Sequence, residues 1–205
     1  DAEILSVPVI CDRVALAPGQ GDAIDAVARR LAPGAGDAAL PTGVGFCMAM
    51  APAWLDRVPQ FDTAFGPGYG EEVDWCRRTA ALGARHMAVA DLFVEHRGGS
   101  SFGSDARRRL IARNGAIISA RYPGYDLEVQ DFIAADPLVT ARLALGVAWA
   151  AGAVAAAQQD QGAGAEGPRL YLTHSMGGGV ERYLNRRLAA DLARDGAALV
   201  LRVGG

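Results

Sequence analysis

Phe65-Gly66-Pro67-Gly68-Tyr69-Gly70-Glu71-Glu72-Val73-Asp74-Trp75-Cys76-Arg77-Arg78 is the stretch on which the reading of this chain turns. Three glycines and a proline over Gly66–Gly70 make a loop, because glycine accepts left-handed backbone and proline interrupts regular hydrogen bonding. Three carboxylates then crowd into positions 71 to 74, where a helix begins and its positive dipole end favours negative charge. The helix is predicted to run to Leu82, with Gly83 as its stop. Glycines let backbone come close to a ligand, so Glu71, Glu72 and Asp74 are candidates for acid–base work on a hydroxyl, one carboxylate abstracting the proton while a neighbour orients the nucleophile. Spacing alone is also met by dipole-favourable capping of a solvated helix end, and taken alone favours that plainer reading.

Beyond this helix, His86 to Ala90 and Leu92 to Glu95 read as a strand or strand pair ending at His96, just before Gly98-Gly99. An imidazole at a strand end beside a glycine-rich loop can ligate a divalent metal, although a lone histidine is more often an ordinary hydrogen-bonded one. His86, inside a strand, reads as structural. A helix is predicted from Asp105 to about Ala120, with Arg107, Arg108 and Arg109 forming a solvated face rather than an anion site. Towards the N-terminus, Ile4 to Ile10 reads as extended with Pro8 as interruption. Asp22 to Leu31 places Ile24, Val27, Ala28 and Leu31 on one helix face, and Pro33-Gly34 ends it. Val44 to Met50 is a short apolar run that predicts a strand, and Pro52 to Arg57 a single helical turn.

The chain has 205 residues, its 20 basic side chains are all arginine, and 41 Ala beside 26 Gly inflate the apolar fraction of 51%. A net charge of −3 argues against a general nucleic-acid binder and against a polybasic membrane anchor, both of which need basic surface. Leu138 to Ala157 has the length of a membrane span, but Arg142 lies inside it and its apolar character is mostly alanine. It reads as an Ala-rich amphipathic helix with Asp136 as N-cap and Pro137 at the first position. Cys11, Cys47 and Cys76 fit neither a disulfide framework nor a zinc cluster, and read as buried thiols in a reducing compartment.

Gln158 to Pro168 contains no bulky apolar residue and reads as an interdomain linker. After it come a strand at Leu170 to Thr173, a turn at Gly177-Gly178-Gly179, an amphipathic helix at Val180 to Arg194 and a strand at Ala198 to Val203. That is a βαβ unit, the opening of a Rossmann-like domain. With no initiating Met and an end at Val203-Gly204-Gly205 directly after an apolar run, the chain reads as a piece of a longer protein.

Four ordered motifs then combine: Pro41-Thr42-Gly43-Val44-Gly45-Phe46-Cys47, Phe61-Asp62, Phe65 to Cys76, and Phe93-Val94-Glu95-His96-Arg97-Gly98-Gly99-Ser100-Ser101-Phe102. Together they resemble the C-terminal half of a bacterial family 2 glycosyltransferase, the inverting GT-A type that builds cell-surface polysaccharides, over about residues 1 to 135. The fold class implied is α/β: a partial GT-A catalytic domain over 1–135, a helical extension over 136–157, the linker, and a truncated second domain over 169–205. The resemblance implies Glu72 as catalytic base, Glu71 orienting the acceptor and Asp74 supporting its site. Thr42, Gly43 and Gly45 would line the acceptor side, and His96 would ligate a divalent metal, Mg²⁺ or Mn²⁺. Many relatives carry Asp at the position of Glu72 and often Arg at that of Ala51. The family's Asp-X-Asp motif and its nucleotide-binding half do not occur in this sequence, which predicts that these 205 residues alone are inactive. Leu172 to Tyr183 is similar to the opening of GT-B type glycosyltransferase domains.

The implied partners are a nucleotide-sugar donor and a glycan or lipid-linked glycan acceptor, with no nucleic acid and no transmembrane segment. The implied location is cytoplasmic, or peripheral at the inner membrane. The rival from another class is a non-catalytic carbohydrate-binding or scaffolding module that keeps the acceptor half of the fold. A two-carboxylate hydrolase ranks last, since an acid and a base must flank the scissile bond and one helical turn places them poorly for that.

Overall fold

The computed structural model describes residues 2–12, 14–96, 104–161, 169–174, 179–195 and 198–203. In chain order the elements are α1 (Gln20–Ala28), β1 (Ala38–Leu40), α2 (Pro52–Arg57), α3 (Glu71–Ala80), β2 (His86–Ala88), α4 (Ser104–Arg121), α5 (Tyr125–Ala135), α6 (Val139–Gln161), β3 (Arg169–His174), α7 (Gly179–Asp195) and β4 (Ala198–Val203). Short 3₁₀ turns at Ala2–Leu5 and Thr63–Phe65 precede α1 and α3. The architecture is a general α/β one in which helices dominate and each described sheet has two strands.

Helix α3 forms where its signals place it. Gly70 caps its start in the left-handed region at φ 106°, and Gly83 at φ 98° ends it. There the Gly83 N–H donates to Ala80 O and the Ala84 N–H to Thr79 O, satisfying the last carbonyls. Helices α1, α2, α4 and α6 also lie where periodicity and punctuation predict them, within a few residues at each end.

Two segments predicted as strands, and one predicted as extended, take other forms. Over Val44 to Met50 the Cys47 N–H folds back onto Val44 O in a turn. Around Leu92 to Glu95, carboxylates intercept the amides a ladder would use: Phe93 N–H donates to Asp25 and Ala90 N–H to Asp37. The Ile4 to Ile10 piece opens as a 3₁₀ turn, and Arg142 takes the carbonyls of Ile4 and Ser6. The observed partner of β2 is instead β1, paired antiparallel with Leu40 opposite His86 and Ala38 opposite Ala88. Ala38-Ala39-Leu40 has no β-branched or aromatic residue, so its extended form comes from that pairing and from burial rather than from propensity.

The core is a set of adjoining clusters. Ile4, Leu40, Ala88, Phe132 and Leu138 join the β1–β2 pair to α5. Phe65, Val73, Ile118 and Tyr125 join α3, α4 and the start of α5. Ile24, Ala28 and Leu145 hold α1 against α6, and Val58, Trp75 and Cys76 close the inner side of α3.

Asp136 does not cap α6 as predicted. It terminates α5 in the left-handed region at φ 32°, and its carboxylate accepts from Arg142 Nε at 2.9 Å. Arg142, 3% exposed, is thus a buried cation with every side supplied by oxygen, the condition a buried charge requires. Among the described residues no single helix is long and apolar enough to cross a membrane; α5 and α6 reach that length and composition only jointly, as a pair bent by 60°.

The C-terminal βαβ unit forms as predicted. Strands β3 and β4 run parallel, Arg169 opposite Ala198 through His174 opposite Val203, with α7 as the crossover. Asp191 of α7, 1% exposed, accepts from Tyr171 Oη and from Arg169 at 3.0 Å, which fastens the helix to β3. Residues 162–168 of the predicted linker, Gly177 and Gly178 of the glycine turn, and Arg97 to Phe102 of the fourth motif lie outside the described residues.

Candidate functional site

The start of α3 meets the loop after β1, and this brings together residues far apart in sequence. A Cβ on Gly45 would lie 3.3 Å from Glu72 Cγ, so the Glu72 side chain rests directly on that glycine's backbone. The Gly43 N–H points at Cys76 Sγ at 3.3 Å, and a Cβ on Gly43 would collide with Met48 Sδ at 2.4 Å. Thr42, 1% exposed, shares a 2.9 Å hydrogen bond with Tyr125 Oη. A side chain at 43 would thus have to displace the Met48 side chain, and one at 45 would displace Glu72 on α3.

The three carboxylates of α3 have different surroundings. Glu72 Oε2 accepts from the Gly70 N–H at 3.0 Å, reaching back to its own helix cap. Glu71 is half-buried and its Oε2 is enclosed without a hydrogen-bond partner. Burial pushes the Glu71 carboxyl above its ordinary range; its own backbone N–H opposes this and the adjacent Glu72 charge adds to it. Asp74 is 1% exposed and fully engaged: Arg78 Nε at 2.7 Å, Arg121 Nη1 at 2.8 Å and Tyr122 Oη at 2.7 Å all donate to it. Burial alone would raise its pKa, but the three donors outweigh burial and hold it below the ordinary carboxylate range. Tyr122 is correspondingly pushed up to about 12, by burial and then by the Asp74 hydrogen bond.

Asp74 is thus enclosed on the inner side of α3, with its oxygens turned to Arg78, Arg121 and Tyr122. Glu71 and Glu72 stay at the front. Cys76, one turn further on, is a buried thiol pushed up to about 11, chiefly by burial; the expectation of buried thiols fails for Cys11 and Cys47, which are exposed.

His96 is exposed and stacks on Phe46, ring centroids 4.7 Å apart at 15°. That contact attaches the described part of the fourth motif to the strip that carries Gly45. No group of three or more His, Cys, Asp or Glu among the described residues could hold a metal ion. His96 therefore contributes one imidazole, and the described donor set does not make a metal site by itself.

Sequence reasoning missed the face of α4 that organises this region. Asn114, 1% exposed, donates from Nδ2 to the carbonyl oxygens of Phe65, Gly68 and Tyr69 at 2.8, 2.9 and 2.8 Å. Ile118 packs under Gly70 and Phe65, and Arg121 and Tyr122 reach Asp74. Positions 114, 118, 121 and 122 form one helical stripe. A polar Asn interrupting the apolar side of a helix was the available signal, overshadowed by the arginines at its start.

A cleft of about 500 Å³ adjoins the site, with Gly43, Phe46, Met48, Met50 and Trp54 in one wall and β2 in another; Glu71 and Glu72 are not part of its lining. The 43–46 strip borders both the cleft and Glu72, and the cleft does not contain the carboxylates. No protein-family model, curated protein or solved structure matches the chain.

Proposed function

We propose that the chain carries the acceptor half of an inverting GT-A glycosyltransferase of the family 2 type, acting in cell-surface polysaccharide synthesis, followed by the first unit of a GT-B-like domain. The observation that supports this most is the meeting of Glu72 with the 41–45 strip. Two of the four motifs, read separately from the sequence, face each other across the 3.3 Å between Glu72 and the Cβ position of Gly45.

In this reading the Glu72 carboxylate takes the proton from an acceptor hydroxyl. The oxygen attacks the anomeric carbon of a nucleotide sugar, the bond to the diphosphate breaks, and configuration inverts in a single displacement. Oε2 is anchored by Gly70, which leaves Oε1 as the oxygen to receive the proton. Glu71, alongside and partly desolvated, orients the acceptor. Thr42, Gly43 and Gly45 form the backbone wall against which the acceptor lies. A divalent metal keeps one candidate ligand here, His96.

Sugar transfer from nucleotide-sugar donors, measured with Glu72→Gln in a longer protein that includes the donor-binding half, tests the reading. Loss of about 10²- to 10⁴-fold in turnover with the fold retained is expected for removal of a general base. Turnover equal to that of the unsubstituted protein would exclude Glu72 as the base; absence of turnover with either residue at 72 would leave a carbohydrate-binding module as the better description.

A further inference from the structure

The glycine loop before α3 has unusual backbone demands. Gly66, Gly68 and Gly70 have φ of 71°, 147° and 106°, and Tyr69, which has a Cβ, is also left-handed at 67°. Such a run stays in place only where surrounding structure over-determines it. Its carbonyls point inward, and an inward carbonyl must find a donor. Asn114 meets that need: one carboxamide nitrogen reaches three carbonyl oxygens, those of Phe65, Gly68 and Tyr69, with two protons, so one proton is shared. The reversed orientation would press Oδ1 against three carbonyl oxygens, which fixes nitrogen as the atom facing the loop. Arg113 Nη1 donates to Oδ1 at 3.0 Å and Nη2 to Ala64 O at 2.9 Å, holding the carboxamide from its other side.

The loop ends at Gly70, whose N–H holds Glu72 Oε2 at 3.0 Å. We propose that Asn114 is a positioning residue for Glu72: its carboxamide locks the glycine loop so that the Gly70 N–H anchors the carboxylate against Gly45. The role of Glu72 as a base rests on the proposed transfer reaction; the positioning chain from Asn114 through Gly70 to Glu72 does not. Asn114 touches no reacting atom in this scheme and acts only through the loop.

Asn114→Asp keeps the size and shape of the side chain and replaces the donor by an acceptor. In the full chain, NMR should show the Gly70 amide exchanging about tenfold faster or more, the Glu72 Cδ resonance displaced, and the resonances of the α1–α6 contact unchanged. Unchanged Gly70 exchange and an unchanged Glu72 resonance would overturn the proposal. Where transfer is measurable, kcat should fall by about 10²-fold with KM nearly constant, as for a misplaced catalytic group; a fall in which KM alone moves would also overturn it. Displaced Gly70 and Glu72 signals, with no transfer by wild type or variant even when the chain is joined to a donor-binding half, would sink the glycosyltransferase reading and leave the positioning intact. If Asn114→Asp does not fold, the wild type decides. The Nδ2 protons of Asn114 should exchange in step with the Gly70 amide, and exchange at the rate of an exposed asparagine while Gly70 stays protected would refute the link.

Discussion

Within one turn of α3, the front and the inner side treat the same functional group in opposite ways. Glu71 and Glu72 stand at the front, one with an enclosed oxygen lacking a partner and the other holding only its own helix cap. Asp74, two residues later, is fully buried and takes three donors from α3 and α4. Their dipole environment is shared, so the difference comes from what α4 presents. The Arg121 and Tyr122 side chains convert one carboxylate into a structural fastening. A carboxylate fastened in this way has used most of its acceptor capacity, and the two left at the front retain more of theirs.

Breaking the inner side should have the largest effect on stability. Asp74→Ala removes the shared acceptor of Arg78, Arg121 and Tyr122 and should cost about 3 kcal/mol, read as a lower urea midpoint, because a buried ionic network loses its centre. The sign of the pH dependence follows from the direction of the shift. Asp74 is held below its ordinary value of 3.8, so its contribution is fully present above that pH and is lost as pH falls through the lower, folded value. Acid unfolding of the wild type should therefore be steeper below pH 3.8 than that of Asp74→Ala. Equal slopes would mean that the carboxylate is not held as described.

A smaller effect is expected where the two sides of the comparison are coupled. Tyr125→Phe removes the hydroxyl that meets Thr42, leaves that buried threonine oxygen without its partner, and should cost about 1–2 kcal/mol in thermal or urea unfolding. Gly45→Ala should cost less in stability but more at the front. The new methyl would lie 3.3 Å from Glu72 Cγ, so the flexible glutamate gives way by a few tenths of an ångström. Altered Glu72 chemical shifts with a melting temperature close to wild type are the expected outcome; a lowered melting temperature with Glu72 unmoved would show that the strip and not the carboxylate yields.

How much of this was legible in the residues follows the range of the forces involved. Helix α3 and its glycine boundaries, α2, α4 and the βαβ unit are encoded locally, by periodicity, caps and turn residues, and were read correctly. The β1–β2 pairing was not, because Ala38-Ala39-Leu40 becomes a strand only through a partner more than forty residues away. Strands were wrongly expected at Val44 to Met50, where the Cys47 N–H turns back onto Val44 O, and at Leu92 to Glu95, where the apolar run carries no sign that Asp25 and Asp37 would take the nearby amides. At the site, the acidic cluster was visible but its division into front and inner carboxylates was not. That division depends on Arg121, Tyr122 and Asn114, distant residues whose helical spacing becomes meaningful only once α4 is known to lie against α3.

The finest test concerns Glu71, where the expected effect is small and its sign is the informative part. Burial raises its pKa above the ordinary 4.5, with the neighbouring Glu72 charge adding to the rise. A raised folded value means that the contribution of Glu71 to stability is fully present below pH 4.5 and declines as pH rises through the folded pKa, because the ionised form sits in a place that solvates it poorly. Glu71→Gln cannot ionise. Its melting temperature should match that of the wild type at pH 4 and exceed it at pH 7, the gap opening between those limits. Asp74 is present in both proteins, so its own titration cancels from the difference. If the gap instead ran the other way, with Glu71→Gln less stable at pH 7, the ionised carboxylate would be gaining a partner at neutral pH, and the front of α3 would be fastened in the same manner as its inner side.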